Sequence, residues 1–477
     1  MQHGKSIHAA LLVWALALPA AYAQASDEVI VKQYDDGSVY EGTFSNGLQD
    51  GTGTFRLPNG FEYSGTWVMG KIEGTGVAHY PNGSVYEGTF KDGRPDGTGK
   101  ITYPDGWTYE GAWLLGKLTG QGVARYADGS VYTGMFLDGK HEGQGILTEA
   151  NGYRYDGMWQ AGVKNGQGKI TFPDGATYEG TLVNAELSGV GTLVMPQGVT
   201  YVGDWSHGQI NGTGKLTQAN GDLYEGQFSE GLRHGQGTMT FASGDIYKGG
   251  FKADKRDGKG SFIAKDGTVY EGDWRSGQMA GQGQLKHADG SIYVGGFKAD
   301  LSDGTGKITY PDGSYYDGFW VGGEMTGAGT AAFSNGSTYT GMFKNGTPDG
   351  IGEMTYADGF RYKGSWKTGV REGSGIGTWP DGTVYTGQFV KGLRHGKGEL
   401  VQPDGFTYIG DWDAGIMAGQ GIATYPSADV YEGGFVGGKR EGKGSLTYKN
   451  GEVSAGIWKS GMLTAPLVAV PDAPANP

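Results

Sequence analysis

The sequence predicts an all-β fold: an elongated, twisted, single-layer antiparallel sheet of about 18 tandem 23-residue β-hairpins. Three observations predict it. Tyrosine recurs every 23 residues from Tyr40 to Tyr431 without a slip. Within each repeat the side chains alternate with a period of two, the strand period. Glycine supplies 96 of 477 residues and aromatics 12%, a pairing that suits short strands and tight turns rather than a disordered chain.

The first element is a targeting segment. Lys5 gives a positive start, Ala9 to Leu18 an apolar run, and Ala21-Tyr22-Ala23 the small residues a signal peptidase needs. Residues 1–23 are therefore expected to be a signal peptide, too short in its apolar run to span a bilayer comfortably. The chain is expected to be exported, periplasmic or secreted, after cleavage near Ala23. Residues 24–34 are expected to form an N-terminal cap strand, because Tyr34 matches the end of a second strand. Residues 35–464 form the repeat array. Residues 465–477, rich in Pro and Ala, are expected to be a disordered tail.

Within a repeat, Tyr86, Gly88 and Phe90 share one strand face, and Val85, Glu87 and Thr89 the other. Lys91 to Asp96 reads as loop. Gly97 and Gly99 then open a second strand on which Ile101 and Tyr103 follow in phase, and Pro104-Asp105-Gly106 is turn chemistry. The next unit repeats the pattern with Tyr109, Gly111 and Trp113. Glycine weakens a strand by up to about 1 kcal/mol. Its recurrence beside the rings implies that aromatic side chains lie over bare backbone. Ser454 continues the register as a degenerate nineteenth unit, and Leu182 is the one exception in the Phe/Trp position.

These residues resemble the membrane occupation and recognition nexus (MORN) repeat, whose pattern is Tyr-x-Gly-x-Phe/Trp, a loop, then Gly-x-Gly and a hydrophobic strand. The resemblance runs from residue 35 to about 461. It implies a single sheet of hairpins with a right-handed twist, roles in scaffolding and dimerisation, and membrane association. Some family members carry a catalytic domain, as plant phosphatidylinositol phosphate kinases do; the repeats leave no room for one in this sequence.

A second period of 46 overlies the first. The ring four after Tyr alternates between Phe and Trp over much of the chain, from Phe44 and Trp67 onward. Phe61, Trp107 and Tyr153, two before their Tyr, keep this beat, as do Phe360 and Phe406 near the other end. These five are the candidate partner-binding aromatics. Two readings stand side by side: they fill gaps in the stripe or face a turn, or they stack on a ligand or partner.

Composition narrows the function. Formal charge is −13, and −14 once Lys5 leaves with the signal peptide, which opposes binding to nucleic acid and disfavours an anionic membrane surface. There is no cysteine, hence no disulfide and no thiolate nucleophile. Gly-x-Gly opens a strand rather than linking strand to helix, so it is not a phosphate loop. The Asp-Gly turns do not follow the nine-residue calcium repeat. His234 and His395 read as loop residues seven units apart, and Glu87, Glu110 and Glu179 as a solvated ladder. The sequence implies no cofactor, no metal and no catalytic residues. It points to an exported scaffold or protein-interaction repeat protein, not an enzyme, binding partners or itself along an extended aromatic face. The alternative is binding of an extended envelope glycan or association with a membrane surface.

Overall fold

A computed structural model describes residues 28–466, all in strands and turns without a helix. The signal peptide expected at 1–23 lies outside the described residues. Of the expected cap, Ile30–Gln33 forms a strand paired with Val39–Ser45. The last strand, Met462–Pro466, takes in Ala465 and Pro466, two residues that had been expected in the tail; 467–477 lie outside the described residues.

Between these ends, seven-residue strands that begin just before each Tyr alternate with nine-residue strands. The chain divides into two compact units, Met1–Gly198 with Trp205–Gly208, and Val199–Asp204 with Gln209–Pro477. In the first, successive strands from Ile30–Gln33 to Glu186–Val194 pair antiparallel, each with the one before and the one after it. In the second, the strands from Gln209–Thr217 to Met462–Pro466 do the same.

The hairpin is tighter than its sequence suggests. Lys91 ends one strand and Arg94 starts the next, so only Asp92 and Gly93, both at positive φ, make the turn. The expected loop residues Arg94, Pro95 and Asp96 are strand residues, with Pro95 opposite Phe90. His234 and His395 likewise lie in strands, Leu232–Thr240 and Leu393–Val401, rather than in loops. Polar composition disguised these strands, because their outward positions face water.

A register shift interrupts each hairpin from residues 39–56 to 177–194 and from residues 223–240 to 453–466. Gly88 faces Gly99, yet Phe90 faces Pro95, leaving a bulge on the longer strand. The two glycines of Gly97-Thr98-Gly99 thus serve different ends. Gly97 takes φ +96 inside the bulge. Gly99 has no room for a side chain, since a Cβ there would stand 2.2 Å from the Tyr86 hydroxyl oxygen. The residue three after Tyr closes the bulge: Thr89 Oγ1 accepts from the Thr98 N–H at 2.8 Å and donates to the Asp96 carbonyl. Asp204, Gln227, Asp273 and Asp411 accept the corresponding N–H at 2.7–2.9 Å.

Candidate functional site

The repeat first builds its core. Tyr86 and Tyr109 are fully buried, Phe90 and Trp113 nearly so. The Tyr86 ring covers Gly88 and Gly99, and the Tyr109 ring covers Gly111 and Gly122. Each phenol spends its proton on its own strand: Tyr86 Oη–H donates to the Thr89 carbonyl at 2.9 Å, and Tyr109 Oη–H to that of Ala112 at 2.9 Å. Burial pushes Tyr109 up to about 12. Rings meet edge to face within a unit and across units, as Tyr86 does with Phe90 and with Trp113, both at 5.0 Å. Trp113 Nε1–H donates to the Gly99 carbonyl at 3.0 Å. Tyr86, Gly88, Phe90, Gly99, Tyr109, Gly111 and Trp113 thus pack into one motif, whereas Gly97, expected to leave room for a ring, sits in the bulge beside Thr89 instead.

A row nine residues after each Tyr lies against these rings, and no hydropathy signal marks it because its members are chemically mixed. His141 stacks on Tyr132 with centroids 3.6 Å apart, and its Nε2 lies 2.8 Å from the Tyr126 hydroxyl. Burial pulls this imidazole down to about 4. Lys164 Nζ sits 4.3 Å from the Tyr153 ring and donates to its hydroxyl at 2.7 Å. In the second unit Arg256 covers Trp274 at 4.0 Å and donates to the Gly277 carbonyl at 2.7 Å. Arg394 and Arg440 repeat this on Trp412 and Trp458, each at 4.2 Å.

The five candidate aromatics do not join this core. They form a second row beside the turns, each packed on a ring at the end of a longer strand. Phe61 meets Tyr80 at 5.7 Å, Tyr153 meets Phe172 at 6.3 Å, and Phe406 meets Tyr425 at 5.8 Å. Trp107 lies between Tyr103 at 4.4 Å and Tyr126 at 6.4 Å, inclined to them by 36° and 25°. These four candidates are half-buried, whereas Phe360 is buried between Tyr356, Trp379 and the Arg371 guanidinium. The structure therefore pairs each candidate with a turn-side ring but does not gather the five into one site. Trp107 differs from Trp113 in its anchorage, since its indole N–H is shut from solvent without an acceptor in the protein. In the intervening units the same position holds buried serines, Ser38, Ser84 and Ser130, each hydroxyl donating to an Asp or Asn two residues earlier.

This geometry corrects one expectation. The central aromatic rows are sealed by their neighbours, Phe44 apart, so a partner cannot stack along them; the turn-side rings remain half-open, as does Phe319, which is 50% exposed. Among the described residues no group of three or more His, Cys, Asp or Glu side chains is placed to hold a metal ion.

Comparison with known proteins agrees with the repeat geometry. The MORN repeat pattern matches 17 segments between residues 40 and 453, leaving out 178–200, the unit in which Leu182 replaces the ring. That unit nonetheless forms the same bulged hairpin, with Tyr178 and Leu182 fully buried. Alsin of Rattus norvegicus is 47% identical over 55 residues, 10% of this chain and 3% of its own length, and Alsin of Homo sapiens is 44% identical over 55 residues and the same shares. The chain thus spans a small fraction of these relatives. The TCP10 domain of Danio rerio CPAP, solved with a STIL peptide, gives a TM-score of 0.18 at 16% identity over 56% of this chain and 93% of that one. The SAS-4 (dCPAP) TCP domain of Drosophila melanogaster gives 0.20 at 14% identity over 42% and 90%. Neither likeness is strong enough to bear on fold or function.

Proposed function

The chain belongs to the MORN repeat family, and from that premise we propose that it is an interaction scaffold that binds a protein partner along the turn-side row of rings, not an enzyme. One observation carries the reading. The rows of rings that hold the fold are buried, while clusters such as Tyr103-Trp107-Tyr126 and Tyr153-Phe172 stay half-open, away from the ring ladder that builds each hairpin. Aromatic anchors with a polar rim are what protein interfaces use most. The core phenols and Trp indoles are already bonded to backbone carbonyls, which leaves them no chemistry to perform.

Trp107→Ala and Tyr153→Ala test this together. Capture of a partner from the native compartment should fall at least tenfold while the thermal midpoint holds. Loss of stability with capture unchanged would assign the rings to the fold alone.

The near-parallel stack of Trp107 on Tyr126 favours a second reading, in which a sugar ring of an extended envelope glycan lies on this platform. Tryptophan fluorescence titrated with envelope glycans separates the two, since a protein interface predicts no response. We read the protein as exported, on the strength of residues 1–23. An intact N-terminus on the chain recovered from cells would remove that part of the proposal.

A further inference from the structure

Four of the five turn-side candidates share a repeat with a small partner. Phe61, Trp107, Phe360 and Phe406 each stand two residues before a Tyr that faces Ala78, Ala124, Gly377 or Ala423 across its hairpin. Phe360 shows how closely the two fit: a Cβ on Gly377 would stand 3.2 Å from its ring. The aromatic fills the volume that the small residue leaves. Where a serine precedes the Tyr, the facing residue is large instead, as Ile101, Ile308 and Met354 are in the repeats of Ser84, Ser291 and Ser337. Between Tyr40 and Tyr431 only the repeat of Tyr316 is small at both places, with Ser314 and Ala331.

That repeat holds the site of Phe360 without its ring. Phe360 packs on Tyr356 at 5.4 Å, on Trp379 at 4.8 Å and on the Arg371 guanidinium at 5.1 Å. The same places 46 residues earlier hold Tyr310, Phe333 and Met325. With Ser314 and Ala331 they line a cavity of about 200 Å³. Two side chains show that it is open. Ser314 is half-buried, whereas Ser38, Ser84, Ser130, Ser291 and Ser337 are 2–7% exposed. Phe333 is 38% exposed, whereas Tyr356 and Trp379 are half-buried. The walls favour an apolar guest. Met325 replaces the charge of Arg371 with a thioether, which contacts ring edges well. The hydroxyls of Ser314 and Tyr316 already donate, to Asp312 at 2.6 Å and to the Phe319 carbonyl at 2.9 Å. Apolar cavities of about 150 Å³ accept benzene.

We propose that this cavity receives one aromatic side chain, of the size of Phe, from a protein partner. The incoming ring takes the place that Phe360 takes in its own repeat, between Tyr310 and Phe333 and over Ala331. A pocket for one ring buries too little of a free small molecule to hold it tightly, whereas an aromatic anchor gains from the interface around it. The site deepens the scaffold reading, on which it rests, by naming the chemistry of one contact.

Ser314→Phe tests it by supplying the ring from within. Its thermal midpoint should equal or exceed that of the unsubstituted chain, since the ring fills existing space. A lowered midpoint means that the space does not fit a ring and overturns the proposal. In the full chain labelled at its methionine methyl groups, benzyl alcohol should shift the Met325 resonance saturably and leave that of the exposed Met342 in place. In Ser314→Phe the Met325 resonance should no longer respond; a response that persists overturns the site. Random peptides displayed on phage and selected on the full chain should carry an aromatic at one fixed position. Alanine there, or Ser314→Phe in the chain, should weaken binding at least tenfold. Selected peptides without that aromatic, or held equally by Ser314→Phe, overturn the partner assignment, and a benzyl alcohol shift alone then leaves a free aromatic molecule as the guest. Ser314→Phe should sediment with the mass of the unsubstituted chain; a lower mass would give the pocket to a second copy and overturn it too. Partner capture through Trp107 and Tyr153, measured separately, shows whether the scaffold reading stands without this pocket.

Discussion

The Tyr86 ring lies so close to Gly99 that a single methyl group on that glycine would stand 2.2 Å from the phenolic oxygen and 2.4 Å from Cζ. Gly99→Ala should therefore destabilise its hairpin by about 3 kcal/mol or more, because a buried ring and a paired backbone must both move. Hydrogen exchange should show the loss concentrated in residues 85–113, since each repeat touches only its neighbours.

Gly93 should behave differently. It takes φ +76 with no atom near its missing side chain. At the equivalent position Ala185, Asp254 and Asp300 adopt φ of 67–69. Gly93→Asn should cost less than about 1 kcal/mol, because Asn tolerates the left-handed region better than most residues. Thermal unfolding compared with Gly99→Ala checks both values at once.

The array should lose stability steeply at alkaline pH. Burial holds Tyr63, Tyr109, Tyr247 and Tyr408 at about 12, against 10.0 for a free phenol. A raised folded pKa means that the unfolded chain gives up its proton first. The stabilisation is whole below pH 10 and is lost as pH rises towards 12. Phenolate absorbance and strand circular dichroism should change together in that window.

His141 acts at the other end of the scale. Its imidazole, lowered to about 4 from 6.5 by burial against Tyr132, is charged more readily in the unfolded chain. Its contribution is present above pH 6.5 and is lost as pH falls through 4, by on the order of 1–2 kcal/mol. His141→Leu should flatten this part of the profile, read as the change in midpoint between pH 7 and pH 4.

Arg256 contributes to stability by shape as well as charge, covering Trp274 and bonding to the Gly277 carbonyl. Arg256→Lys should cost about 1 kcal/mol, because an ammonium cannot stack and donate in the same plane. Arg256→Ala should cost about 1–2 kcal/mol. Chemical denaturation of the three proteins gives the order.

Much of the fold was legible because Tyr86, Gly88, Phe90 and Gly99 each have one physical role, repeated until chance is excluded. The hairpin turn was misjudged because Arg94 and Pro95 look like loop residues in isolation. They are held in a strand by Phe90 and by the neighbouring turn, with the Gly116 N–H donating to the Pro95 carbonyl at 2.8 Å. The covering row escaped notice for a related reason. His141, Lys164 and Arg256 share a place over the rings but no common chemistry. Phe61 and Trp107 were visible as a 46-residue beat, yet only coordinates could show that their companions are Tyr80 and Tyr126.

The ring of Tyr63 rests on Phe90 of the next repeat, at 4.9 Å. Removing residues 86–131 would set Tyr132 and Phe136 where Tyr86 and Phe90 had stood, with the Phe/Trp order intact. Where the Phe/Trp order holds, as from Phe44 to Trp159, gene duplication or loss in steps of 46 codons therefore seats each ring against the same kind of ring, whereas at Phe228 and Phe251, where two Phe follow one another, the same step would not.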